Sequence, residues 1–167
     1  IQFSILKDEV MILLDTSGAG LHKRGYRKNS NEAPIKETLA AGILSLARVR
    51  SDTVFCDPMC GSGTFLIEAA LDALHIAPGL NRKFACEKWG AFPAAAMRQA
   101  REAALNNIRR DASFRAYGYD ISEEAVALTQ ENAKKAGVAA RIRLKQQDIR
   151  DFSLDALHSE RATIVCN

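Results

Sequence analysis

Asp57, Asp120, Asp148 and Asn167 each directly follow a short run with strand character, and that placement is what lets them do chemistry. The first heads the stretch Asp57-Pro58-Met59-Cys60-Gly61-Ser62-Gly63-Thr64. Gly61 and Gly63 lack a Cβ there, so the backbone can take positive φ or lie against a ligand. A carboxylate at a strand end can accept two hydrogen bonds from a ribose diol, which suits Asp57 and Asp120. A P-loop would need a Lys directly before the Ser/Thr that opens the next helix; Gly63 holds that place, so a nucleoside triphosphate is not expected. A dinucleotide fold would show Gly-x-Gly-x-x-Gly and an acid about 20 residues on. Here Leu66 replaces the third glycine, and Asp120 lies 57 residues past Gly63. What remains is a cofactor with a ribose but no phosphate, met by an acidic strand end. The competing reading of Asp120 is a helix cap, but Ser122 already fills the cap. For Asp57 the competing reading is a turn Asp bonded to its own backbone.

Such residues line up only if a sheet positions them. Thr53 to Cys56 is almost wholly apolar and fits a strand buried on both faces of a parallel sheet. The spacing of Phe65, Leu66, Ala69, Ala70, Ala73 and Leu74 predicts a helix from Thr64 to about Ile76. The glycines thus sit where a strand turns into a helix, the place where open α/β sheets bind ligands. Upstream, Ile1 to Leu6 and Val10 to Thr16 read as a hairpin turning at Lys7-Asp8-Glu9. Pro34 suits the first turn of a helix whose apolar stripe would be Ile35, Leu39, Ile43, Leu46 and Ala47. Downstream, Pro93 to Arg110 reads as a helix with a basic face, inserted between the first two strands of the sheet. Arg115 to Tyr119 is the second strand. Ser122 as N-cap, Ile121 and Val126 as a staple, and Gly137 as C′ predict a helix over Glu123 to Ala136. Arg141 to Gln147 alternates with charge on one side, as an edge strand does, and Ala162 to Cys166 reads as another buried strand.

The sequence has 167 residues, 47% hydrophobic and 26% charged, as expected of one ordinary domain. A net charge of +3 is too small to prove a nucleic-acid partner. No run of about 18 apolar residues and no basic-then-apolar leader is found, so no membrane span or export signal is expected. Cys56, Cys60, Cys86 and Cys166 form no Cys-x-x-Cys pair, so neither metal nor disulfide is expected. Buried reduced thiols fit a cytoplasmic protein.

Three blocks in order carry a resemblance: Leu21-His22-Lys23-Arg24-Gly25-Tyr26-Arg27, Ala33-Pro34-Ile35-Lys36-Glu37-Thr38-Leu39-Ala40-Ala41, and Asp57-Pro58-x-Cys60-Gly61-Ser62-Gly63-Thr64. Together they resemble the THUMP-associated RNA methyltransferases, from about Leu14 to Asn167. The resemblance implies S-adenosylmethionine as cofactor and RNA as substrate, with transfer to the exocyclic N2 of guanine in ribosomal RNA, 23S first, or transfer RNA. It implies cofactor contacts from Asp57, Pro58, Gly61, Ser62, Gly63, Thr64, Asp120, Ile121, Asp148 and Ile149. Among these, Asp57 would lie near the methionine end, Asp148 would meet the adenine amino group and Ile149 the ring. Lys36 to Thr38 would line the methionine end.

His22 to Lys28 holds four Lys/Arg with Tyr26 interleaved, a composition suited to RNA phosphates and unpaired bases. Lys23, Arg24 and Arg27 are the expected RNA contacts; the alternative is a solvated loop. Asn167 would open an Asn-Pro-Pro-aromatic motif. Its amide oxygen would accept a proton of the guanine amino group and help aim the nitrogen lone pair at the methyl, by positioning and electrostatics rather than strong base.

The expected fold is therefore α/β, a Rossmann-like class I methyltransferase. A hairpin and basic loop occupy residues 1–30, and the N-terminal portion of the domain occupies 31–167. Three of seven strands and an N-terminal THUMP-type domain are implied to lie outside these residues. The rivals are an adenine-N6 or glutamine-amide methyltransferase with the same cofactor fold, or a non-catalytic RNA-binding module. Asp57, Gly61, Gly63, Asp120 and Asn167 together argue against the last.

Overall fold

The computed structural model describes residues 1–27 and 34–167. Lys28, Ala33 and the expected boundary at 30/31 lie outside the described residues.

Four strands form one parallel sheet in the order β5-β4-β3-β6: β3 Val54–Asp57, β4 Arg115–Asp120, β5 Ile142–Gln146 and β6 Thr163–Ile164. The chain steps outward from β3 to β4 to β5, then returns to place β6 on the other side of β3. The strand order therefore reverses beside Asp57, the position where such sheets form a crevice.

Helices α1 (Glu37–Leu46), α2 (Thr64–Ala73) and α4 (Glu123–Ala136) cover one face of the sheet. Helix α2 is buried at nine of its ten positions, with Phe65, Leu66 and Ile67 packed against Phe55, Ala116 and Ile142. Each such side chain contributes roughly 1.5–3 kcal/mol through burial. Gly118 is the point of closest packing: a Cβ there would lie 2.4 Å from Leu66 Cδ1 and 2.7 Å from Leu144 Cδ2. The opposite face carries a smaller cluster of Val54, Cys56, Tyr117, Tyr119 and Leu157.

Helix α4 spans the predicted residues, with Ser122 Oγ accepting from Ala125 N–H at 3.2 Å and Gly137 left-handed at φ +76°. Helix α1 differs from its expected stripe. It buries Glu37, Ala40 and Leu44, while Leu39 and Leu46 are 57% and 85% exposed. Ala40 is small enough to let α1 close on α2, and Arg27 pairs with Glu37 on the inner side. Helix α3 (Ala94–Asn106) stops short of Arg110 and buries no residue, as an insertion outside the sheet would. Arg109 N–H bonds Leu74 O instead, tying the chain back to the end of α2.

The strand expected over Ala162 to Cys166 is corrected to two residues, with Ile164 44% exposed and Cys166 exposed. Among the described residues its strand neighbour is β3. The other three cysteines are buried, and all four are free. The hairpin forms as β1 (Gln2–Leu6) and β2 (Glu9–Leu13) around Lys7 and Asp8, both at positive φ. Two left-handed turn residues match the twist of a hairpin. Among the described residues no helix is long and apolar enough to cross a membrane, and no group of side chains could hold a metal.

Candidate active site

The turn from β3 into α2 is held by hydrogen bonds on every side. Cys60 N–H donates to Tyr119 O at 2.8 Å, and Gly63 N–H to Cys60 O at 2.7 Å. Gly61 N–H donates to Asp120 Oδ2 at 2.9 Å, while Ser122 N–H donates to the other carboxylate oxygen at 3.0 Å. From α4, Thr129 Oγ1–H donates to Gly61 O at 2.8 Å and Asn132 Nδ2 to Ser62 O at 3.0 Å.

The two glycines do different work. At Gly63 (φ +79°) a Cβ would lie 2.5 Å from Thr129 Cγ2, so a side chain would strike α4. At Gly61 (φ +53°) a Cβ would meet nothing within 4 Å, so this face of the turn looks onto open space.

Asp57 and Asp120 flank that space from the ends of adjacent parallel strands. Asp57 is buried, 2% exposed, and its Oδ1 accepts from Met59 N–H at 3.2 Å. Burial pushes its carboxyl up to about 7, with the neighbouring Asp120 adding to the rise and the Met59 bond opposing it. The register of β6 on β3, extended by Val165 N–H to Cys56 O at 3.1 Å, brings Asn167 to the same carboxyl edge, where it is exposed. Ile121 and Ile149 are also exposed there, at 67% and 44%, as apolar groups facing a ligand would be. Asp148 follows β5 and is engaged by Arg150 at 2.6 Å, which holds its carboxyl below the usual range. Asp57, Gly61, Asp120, Asp148 and Asn167 all lie along one edge of the sheet. Pro58 and Ser62 belong to the turn itself and Thr64 opens α2, with Ser62 Oγ and Thr64 Oγ1 3.3 Å apart.

The basic loop is used differently from the expectation. Arg24 Nη2 pairs with buried Glu68 at 3.2 Å, and Tyr26 donates its O–H to the same carboxylate at 3.0 Å. Arg27 Nη2 donates to Thr64 Oγ1 at 2.8 Å and to Ile35 O at 2.9 Å, and its Nε lies 3.7 Å from Glu37. Both guanidinium groups, expected as RNA contacts, are turned into protein partners; of the three expected contacts only Lys23 is exposed. Arg27 instead joins the entry to α1 to the first residue of α2. Sequence reasoning missed Glu68, Thr129 and Asn132, and it read Glu37 only as lining the methionine end, not as the partner of Arg27. Glu68 left a signal: it is one acid in an otherwise apolar turn of α2, and a buried carboxylate needs a partner.

A parallel sheet with helical crossovers, a glycine turn at the switch in strand order and two acids at strand ends define an α/β methyltransferase fold. Residues 24–167 match the UPF0020 family, described as RMKL-like, methyltransferase domain, and the chain belongs to that family. A Bacillus subtilis (strain 168) protein described as "Putative RNA methyltransferase YpsC" is 43% identical over 153 residues, covering 92% of this chain and 40% of its own length. The crystal structure of SMU.472, "a putative methyltransferase complexed with SAH", superposes with a TM-score of 0.89 at 38% identity over 99% of this chain and 42% of that one. A Listeria monocytogenes protein described as a "predicted N6-adenine-specific DNA methylase" superposes with a TM-score of 0.90 at 43% identity over 98% of this chain and 42% of that one. The chain thus spans about two fifths of the length of these relatives.

Proposed function

We propose that this chain is the cofactor-binding part of an S-adenosylmethionine-dependent RNA methyltransferase of the THUMP-associated kind, acting on the exocyclic N2 of guanine, in 23S ribosomal RNA first. The observation that carries the cofactor is the open face of Gly61, whose amide is fixed by Asp120 at 2.9 Å. A cofactor with a ribose and no phosphate fits these residues: Asp120 has lone pairs left for a diol after two N–H bonds, and no Lys or Arg lies between Asp57 and Thr64. Asp57 suits the cationic methionine end, where a positive neighbour would keep its carboxylate charged. Ile121 and Ile149 would flank the adenine. Asp148 would meet the adenine amino group, given that its bond to Arg150 is exposed and so weakly held. Lys23, on the exposed side of the loop, is the RNA contact retained there; Arg24 and Arg27 support it from within.

When bound, the cofactor supplies an electrophilic methyl group on a sulfonium. The protein's part is to place and orient the acceptor nitrogen. Asn167, at the carboxyl edge beside Asp57, would accept an amino proton through its amide oxygen. The SMU.472 complex and the Bacillus protein's description support cofactor and substrate class. An N-terminal THUMP-type domain is proposed for the rest of the protein. In the full-length enzyme Asn167→Ala should lose about 100-fold or more in single-turnover methyl transfer. Asn167→Asp should retain more activity than Ala, since it keeps an acceptor oxygen. An Ala variant equal to wild type removes Asn167 from the reaction.

The Listeria relative's description favours a second reading, adenine N6 in nucleic acid. Mass spectrometry of nucleosides from a deletion strain separates the two: loss of N2-methylguanosine supports the first, and loss of N6-methyladenosine the second.

A further inference from the structure

On the sheet face away from α1, α2 and α4, the register of β4 and β5 sets Tyr117 beside Arg143 and Tyr119 beside Lys145. The Arg143 guanidinium lies 5.9 Å from the centre of the Tyr117 ring. Residues 154–157 form a short 3-10 turn over this face, anchored by Leu157 at 1% exposure, and His158 ends it in a left-handed conformation. Between turn and sheet lies a cavity of about 260 Å³, lined chiefly by Tyr117, Tyr119, Arg143, Lys145, Gln147 and His158, with no carboxylate in its wall. Tyr117 is 5% exposed, and its buried hydroxyl has no hydrogen-bond partner among the described residues. A buried hydroxyl left without a partner is costly, so a ligand that accepts from it is favoured. The cavity therefore offers one buried O–H donor and two exposed cations with a histidine at its walls, over two tyrosines that are 5% and 6% exposed.

That chemistry selects an anion. The volume, just below the range of about 300–1,000 Å³ that takes whole drug-sized ligands, fits one nucleotide rather than a larger molecule. Gln147 closes the rim at the carboxyl edge, where its N–H bonds Asp120 O at 2.9 Å, so a strand entering here passes the cofactor turn. We propose that this cavity is a second binding site, which takes a phosphate group of the RNA strand at Arg143, Lys145 and His158. The proposal rests on the RNA reading above and adds a contact surface to it.

The test uses the full-length protein and a labelled single-stranded RNA of about 12 nucleotides, read by fluorescence anisotropy over a range of salt. Arg143→Gln with Lys145→Gln should weaken RNA binding about 10-fold or more and flatten the log–log salt dependence by up to about 1.4 units for two lost phosphate contacts. S-adenosylhomocysteine affinity should be unchanged. Tyr117→Phe should weaken RNA binding several-fold without lowering Tm, since it removes an O–H that has no protein partner. Wild-type affinity and salt slope in both variants would overturn the proposal. So would a lowered Tm in Tyr117→Phe with RNA affinity intact, which means that protein fills the cavity. If AMP binds the wild type and the variants lose AMP but not RNA, the site serves a free nucleotide and the strand assignment falls. A full-length protein that binds S-adenosylhomocysteine but no RNA would refute the RNA reading itself, whereas tight RNA binding unaltered in every variant removes only this cavity.

Discussion

Asp57 is the residue whose ionisation matters most to the site. Its carboxyl, buried at the head of the turn, titrates near 7 in the folded chain rather than near its ordinary value of 3.8. A raised carboxyl stabilises the fold below the unfolded value, and that stability is lost as pH rises through about 7. Urea unfolding should therefore show stability falling between about pH 4 and pH 7, then levelling off, and Asp57→Asn should flatten the fall. Affinity for S-adenosylhomocysteine, which carries a cationic ammonium, should rise over the upper part of the same window as the carboxylate forms. Calorimetry across the window checks it, and a pH-independent affinity would detach Asp57 from the cofactor. At this scale the sequence was legible where position sufficed: Asp57 and Asp120 do close their strands, whereas Asn167 lies three residues past the end of β6. It was not legible where burial decided. A basic run reads as solvated until Glu37 and Glu68 are seen inside, drawing Arg27 and Arg24 inward.

At the scale of elements, β3 and α2 meet α4 through a glycine. Gly63→Ala combines overpacking against Thr129, about 1–3 kcal/mol, with left-handed strain of about 1–2 kcal/mol. Chemical denaturation should show the loss, and Thr129→Ala in the same chain should relieve the clash while giving up the Thr129 bond to Gly61 O. Gly61→Ala should behave in the opposite sense. With nothing within 4 Å of its Cβ, it should cost little beyond the strain yet weaken cofactor binding markedly, because the methyl enters the open face. Equal losses of stability in the two variants would refute this division of labour. Helix α4 was readable because its two caps are local. The inward face of α1 was not, because Ala40 and Glu37 are chosen by what α2 and Arg27 present.

At the scale of the molecule, the hairpin stands apart from the core. Its register puts Phe3 opposite Ile12 and Ile5 opposite Val10 on one face, all 62–73% exposed. A two-stranded hairpin is marginal by itself. The 167-residue chain should bind a hydrophobic reporter dye in its folded state, and Phe3→Glu with Ile12→Glu should remove most of that signal without moving Tm. Dye binding unchanged in the double variant would place the apolar surface elsewhere. The alternation of the hairpin was plain in the sequence; that neither face finds cover in the described residues was not, since burial belongs to the whole assembly.

The turn between β3 and α2 has its amides and carbonyls already committed: Cys60, Gly61 and Gly63 donate, and Gly61 and Ser62 accept from α4. A ligand arriving there has nothing to order. Association should then be a single step, with observed rates rising linearly with S-adenosylhomocysteine concentration and showing no plateau from a slow rearrangement. The amides of Cys60 and Gly63 should exchange with deuterated solvent as slowly as those of the central strands even before ligand is added.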